Sequence, residues 1–81
     1  MDDHTDPILA AVRRNVLVVL PEVDPDLVSP ERSLRELGCN SIDRADVVTM
    51  TMGALGVSVP VTEFADVSDI GTLVKLLRKY M

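Results

Sequence analysis

The sequence predicts an all-α protein, a small bundle of three to four helices, and three observations lead to that expectation. Apolar residues return to one face of a 3.6-residue period near 7–20 and 69–80, and run almost all round a third helical stretch near 41–55. Each stretch follows a capping residue: Asp6 before Pro7, Asn40 before Ser41, and Ser68 before Asp69. The length, 81 residues, suits one hydrophobic core and is too short for a second domain with its own catalytic cleft. Apolar residues make up 47% of the chain, with one Tyr, one Phe and no Trp, so the core must be aliphatic.

Helix 1 is expected over about 7–20. Asp6 caps it, Pro7 surrenders no needed N–H at the first helical position, and Pro21 ends it. Ile8, Leu9, Val12, Val16, Val19 and Leu20 share its inner face, with Arg13 and Arg14 off it. Pro21, Pro25 and Pro30, with Asp24 and Asp26 among them, argue for a long loop over 21–40. Leu27, Val28, Leu34 and Leu37 are expected to pin that loop to the core, and Ser29-Pro30-Glu31 to open a short helical turn ending at Gly38.

Helix 2, about 41–55, should start at Ser41 with Asn40 as N-cap and Asp43 at its third position. Val47, Val48, Thr51 and Leu55 gather on one side of it, and Ile42, Ala45, Asp46, Thr49 and Gly53 on the other, with Met50 and Met52 flanking the second group. Apolar or small side chains thus run almost all round, and one small core cannot cover both sides. The surplus face should meet a partner; Met50 and Met52 pack at the core edge or contact that partner. Ile42 is expected to face partners. Arg44 is expected to make a solvated helix charge pair or to read a partner.

Gly53 and Gly56 bracket the end of helix 2, and Val57-Ser58-Val59-Pro60 is a short extended connection. A helical turn is expected at about 62–66, with Phe64 plugging the core. The last helix, about 69–80, should be capped by Ser68 and bury Ile70, Leu73, Val74 and Leu77, with Lys75, Arg78 and Lys79 favouring its C-terminal end.

A net charge of −5 disfavours nucleic acid and anionic membranes as partners and suits a basic one. The single cysteine, Cys39, leaves no internal disulfide and no zinc site, and is read as a small semi-buried filler. The longest apolar run, Val16 to Leu20, is far below membrane-spanning length, and Met1-Asp2-Asp3 is unlike a secretory signal. A soluble, cytoplasmic monomer is the expectation.

Ser41 is the candidate site. The bend Gly38-Cys39-Asn40 delivers it to the first turn of a helix, where unpaired N–H groups and the positive macrodipole suit a phosphate ester. The one histidine, His4, belongs to the N-terminal tail, so Ser41 has no local base and reads as a residue that is modified rather than one that attacks. A hydrolase built on Ser41 or Cys39 would lack a base, an oxyanion motif and room for a cleft.

The run L-G-C-N-S-I-D-R-A-D-V-V, followed by V-S-V-P, resembles the acyl carrier proteins of fatty acid and polyketide synthesis, and the resemblance covers nearly the whole chain. It implies one acyl carrier domain over 1–81 that is not itself an enzyme. Ser41 would carry 4′-phosphopantetheine, added from coenzyme A by a phosphopantetheinyl transferase, with acyl groups held as thioesters on its thiol. The family usually has aspartate where Asn40 stands, which puts one acidic contact with the transferase in question; its second helix is also richer in glutamate than this one. The surface for partners would comprise Asn40, Ile42, Asp43, Arg44, Ala45, Asp46, Thr49, Met50 and Gly53. Within the family, N-S-I-D-R-A-D-V-V and the later V-S-D-I-G-T-L-V look like the stand-alone donor carriers of polyketide β-branching. That likeness implies loading with malonate, decarboxylation on the arm, and transfer of the acetyl group to a hydroxymethylglutaryl (HMG) synthase-like enzyme. The alternative is a helical adaptor that binds a partner through helix 2 with no prosthetic group.

Overall fold

A computed structural model describes residues 6–81, and His4 lies outside them. Among the described residues there is no strand; the architecture is all-α, with helices α1 (Pro7–Val19), α2 (Ser41–Leu55) and α3 (Ile70–Lys79). Two 3₁₀ turns, Pro25–Leu27 and Val61–Asp66, sit in the connections before α2 and α3.

α1 starts where Asp6 Oδ1 accepts from the N–H groups of Ile8 and Leu9, at 2.9 and 3.3 Å. It buries Ile8, Leu9, Val12 and Val16, with Ala11 and, unexpectedly, Asn15. Asn15 is tolerated because its Nδ2 donates to Thr51 Oγ1 of α2 at 2.9 Å, while the Thr51 hydroxyl donates to the Val47 carbonyl at 2.6 Å. This polar bridge lies where α1 packs on α2. Leu20 is the C-cap, so α1 ends one residue earlier than the spacing suggested.

The long loop departs from expectation in two ways. Leu27 is 38% exposed and pins nothing, because the 3₁₀ turn it closes faces outward; Val28 and Leu34 are buried and Leu37 packs at the core's edge. No helix forms from Ser29 to Gly38: hydrogen-bonded turns replace it, the last closing where the Cys39 N–H donates to the Leu34 carbonyl at 3.1 Å. Gly38 adopts φ 105°, a conformation open to glycine, and so turns Cys39 inward. Arg13, off the apolar face of α1, clamps the loop instead: its Nε donates to the Pro25 carbonyl at 3.2 Å and its Nη2 to the Val28 carbonyl at 2.8 Å. Farther on, the Pro30 and Arg32 carbonyls accept from the N–H groups of Gly71 and Ile70, at 2.9 and 2.8 Å. The loop thereby satisfies the open first turn of α3.

α3 buries Ile70, Leu73, Val74 and Leu77. Its cap is Asp69, one residue later than expected from Ser68. The Asp69 carboxylate accepts from the Thr72 N–H at 2.8 Å, and the Thr72 hydroxyl is placed to receive the Asp69 N–H at 3.0 Å. Phe64 is not a core plug: it is half-buried, at the edge of the cluster, because the turn that carries it lies along the side of the bundle. The core itself joins α1, α3, Val28, Leu34, Cys39 and Val59 to a single apolar side chain of α2, Val47.

Candidate functional site

Asn40 stands at the N-cap of α2, its Oδ1 accepting from the Asp43 N–H at 2.8 Å, while Asp43 Oδ2 accepts from the Asn40 N–H at 3.2 Å. Two of the helix's open N–H groups are thus satisfied reciprocally, and Ser41 is not needed for capping. Its side chain is exposed at the first helical position, with no hydrogen-bond partner for the hydroxyl among the described residues. The hydroxyl therefore faces solvent at the positive end of a 15-residue helix.

Among the described residues nothing around Ser41 activates it as a nucleophile. Asp43 is engaged in the capping box. Cys39 is 4% exposed, and burial pushes its thiol up, with the charge of Asp43 adding to the shift and that of Arg44 opposing it. Among the described residues no group of His, Cys, Asp and Glu could hold a metal ion.

Only Val47 and Thr51 of α2 are buried. Ile42 is 70% exposed, and Asn40, Ala45, Asp46, Thr49 and Gly53 are exposed as well. Met52 packs against the core, whereas Met50 is half-buried and lies outside the cluster. The expected charge pair of Arg44 is not formed: the side chain is half-buried and has no ionic partner among the described residues. It helps to line an apolar groove of about 380 Å³ between α2 and the segment leading into α3, with Ala45, Val48, Thr49 and Met52 on one wall and Leu34, Val61, Phe64, Val67 and Leu73 opposite. Val61, 86% exposed, forms its outer lip.

A two-sided reading of helix 2 does not show the groove, because its wall is a third stripe between the two sides. The signal was present: Ser41, Arg44, Ala45, Val48, Thr49 and Met52 follow the i, i+3, i+4, i+7, i+8, i+11 pattern of one helix face.

A free serine at a helix start, presented beside a recessed apolar surface, can receive a phosphate ester and offer what it carries to a visiting protein. The phosphopantetheine attachment site family matches residues 10–77, and the chain belongs to this family of carrier proteins. It is similar to the polyketide biosynthesis acyl-carrier-protein AcpK of Bacillus subtilis (strain 168), 41% identical over 63 residues that make up 78% of this chain and 77% of that protein. No solved structure matches the chain significantly. The family's prosthetic group is 4′-phosphopantetheine, held covalently, and its members are carriers rather than enzymes. The site fits such a group, since the hydroxyl that would bear it is exposed and unpaired and the apolar groove begins one turn away. Among the described residues, no helix is long and apolar enough to cross a membrane.

Proposed function

We propose that residues 1–81 act as one acyl carrier domain of polyketide biosynthesis, in the cytoplasm, with 4′-phosphopantetheine attached at Ser41. The observation that carries this reading is the Asn40–Asp43 capping box, which leaves the Ser41 hydroxyl exposed and unused at an electropositive helix end. The kinship with a polyketide carrier supports the pathway class. When attached, the group supplies a thiol that holds acyl cargo as a thioester. The chain's own residues present it: α2 fixes the attachment point, and the exposed row Ile42, Ala45, Asp46 and Thr49 gives the transferase and the acyl-handling enzymes a surface to dock on. That surface is mostly small and apolar, with charge from Asp43, Arg44 and Asp46.

Within that class, the motif N-S-I-D-R-A-D-V-V supports the narrower role of acetyl donor in β-branching. Malonate is loaded, carbon dioxide is lost, and the remaining acetyl group passes to an HMG synthase-like enzyme. Incubation with coenzyme A and a broad-specificity transferase should add about 340 Da to the intact protein, and Ser41→Ala should abolish the gain. An unchanged wild-type mass would refute the carrier reading and favour an unmodified adaptor working through α2. The donor role has its own test: the malonyl-loaded protein, given the pathway's decarboxylating enzyme, should become acetyl-loaded and then lose that acetyl to the HMG synthase-like enzyme. A carrier that keeps its malonyl group under those conditions serves another step.

A further inference from the structure

The groove's helical wall is continuous with Ser41. Arg44, Ala45, Val48, Thr49 and Met52 line it, and Ser41 heads the same stripe. Arg44 is the first side chain below Ser41 on that face, with Cβ atoms about 5–6 Å apart. Helical side chains lean toward the N-terminal end of their helix, which brings a long guanidinium back toward the Ser41 turn. Its charge also acts, against the effect of burial, on the thiol of Cys39, two residues before Ser41.

Arg44 is also half-buried, its stem along an apolar wall, and no carboxylate among the described residues pairs with its guanidinium. The carboxylates that could have taken it are committed or turned away. Asp43 accepts from the Asn40 N–H. Asp69, which shares a neighbouring depression with Arg44 and Arg35, accepts from the Thr72 N–H. Asp46 lies roughly 140° round the helix from Ser41.

We propose that Arg44 is a positioning residue for the prosthetic arm: its guanidinium pairs with the phosphodiester that modification places on Ser41 Oγ and holds the root of the arm over the groove. The inference rests on Ser41 being the attachment residue. A phosphodiester brings one permanent negative charge and paired acceptor oxygens, which a guanidinium meets with two parallel N–H donors. Lysine would supply the charge without the fork.

The test uses apo and holo forms of the wild type, Arg44→Gln and Arg44→Lys, each checked for full modification by intact mass. At low salt the wild-type holo form should melt about 2–4 °C above its apo form, and the gap should narrow in about 0.5 M salt. Arg44→Gln should lose at least half of the gap, keeping the part due to the helix dipole, and Arg44→Lys should retain more of it than Gln. In ¹H–¹⁵N spectra of the wild type, the Arg44 Nε–Hε resonance should move on modification. Because each variant is compared with its own apo form, a general loss of stability does not imitate the effect; should Arg44→Gln fail to fold, the wild-type spectrum and the Lys variant decide. An unmoved Arg44 resonance, or a full gap retained in Arg44→Gln, overturns the proposal. Failure of the attachment reading would look different: no mass gain in the wild type, or a gain in Ser41→Ala.

Discussion

Asn15 and Thr51 show how much of this structure turns on single polar atoms. Both side chains are almost wholly buried, and each satisfies the other: Asn15 Nδ2 gives a hydrogen bond to Thr51 Oγ1, which gives its own to the Val47 carbonyl. Thr51→Val keeps the volume and removes the acceptor, leaving a buried amide unpaired. The expected cost is about 1–3 kcal/mol of unfolding free energy, measured by chemical denaturation. Replacing both partners, Asn15→Leu with Thr51→Val, should recover part of that loss, since an apolar pair leaves nothing unsatisfied. A double variant as unstable as the sum of its parts would show that the bridge is not the cause. The sequence showed Thr51 on the inner face of α2 but gave no warning of Asn15, because a polar residue on an apolar stripe acquires its meaning only from the helix across from it.

At the scale of elements, the loop over 21–40 acts as a second cap for α3 as well as a connection. Gly71 donates its N–H to the Pro30 carbonyl at 2.9 Å, and a Cβ on Gly71 would stand 3.1 Å from that oxygen. Gly71→Ala should therefore destabilise the fold by about 1–3 kcal/mol, because the loop must retreat and loosen the bond; the helix-propensity gain of alanine, at most about 1 kcal/mol, does not offset it. Gly53, in the last turn of α2, has nothing within 4 Å of the same added atom. Gly53→Ala should raise stability by about 0.5–1 kcal/mol. Equal effects at the two glycines in thermal melts would contradict the loop's capping role. The helices themselves were legible from periodicity and caps. The loop was not, since its order comes from Arg13 and from backbone groups of α3 that lie far away in sequence. The cap of α3 lies one residue past the expected Ser68 for a related reason: Ser68 and Asp69 are both good caps, and Thr72 makes the choice by returning a hydroxyl to Asp69.

For the molecule as a whole, two of these caps set its response to acid. At Asp6 burial acts to raise the carboxyl, yet the Arg78 guanidinium and the N–H groups of Ile8 and Leu9 outweigh it and hold it below its ordinary value. At Asp69 the Thr72 N–H and hydroxyl lower it, against a smaller opposing effect of burial. A carboxylate depressed in the folded state contributes stability above its unfolded pKa of about 3.9, and that contribution is lost as pH falls through the folded value. The melting temperature should therefore be nearly level from neutral pH to about 5 and fall below about 4, with Asp6→Asn showing a shallower fall. A wild-type melting temperature that rose below pH 4 would contradict this.

The placement of Ser41 at the first turn of α2 is readable from Asn40 and Asp43, and the helical wall of the groove from the spacing within α2, whereas the opposite wall depends on the positions of Val61, Phe64 and Val67, which no local pattern supplies. The account rests on that serine, one of five in the chain. After modification and digestion with trypsin, Ser41 falls alone in the peptide from Glu36 to Arg44, apart from Ser29, Ser33, Ser58 and Ser68. Peptide mass spectrometry should find the added mass of about 340 Da on that fragment. The same mass on any other serine-bearing peptide, with Glu36 to Arg44 recovered unmodified, would contradict the account.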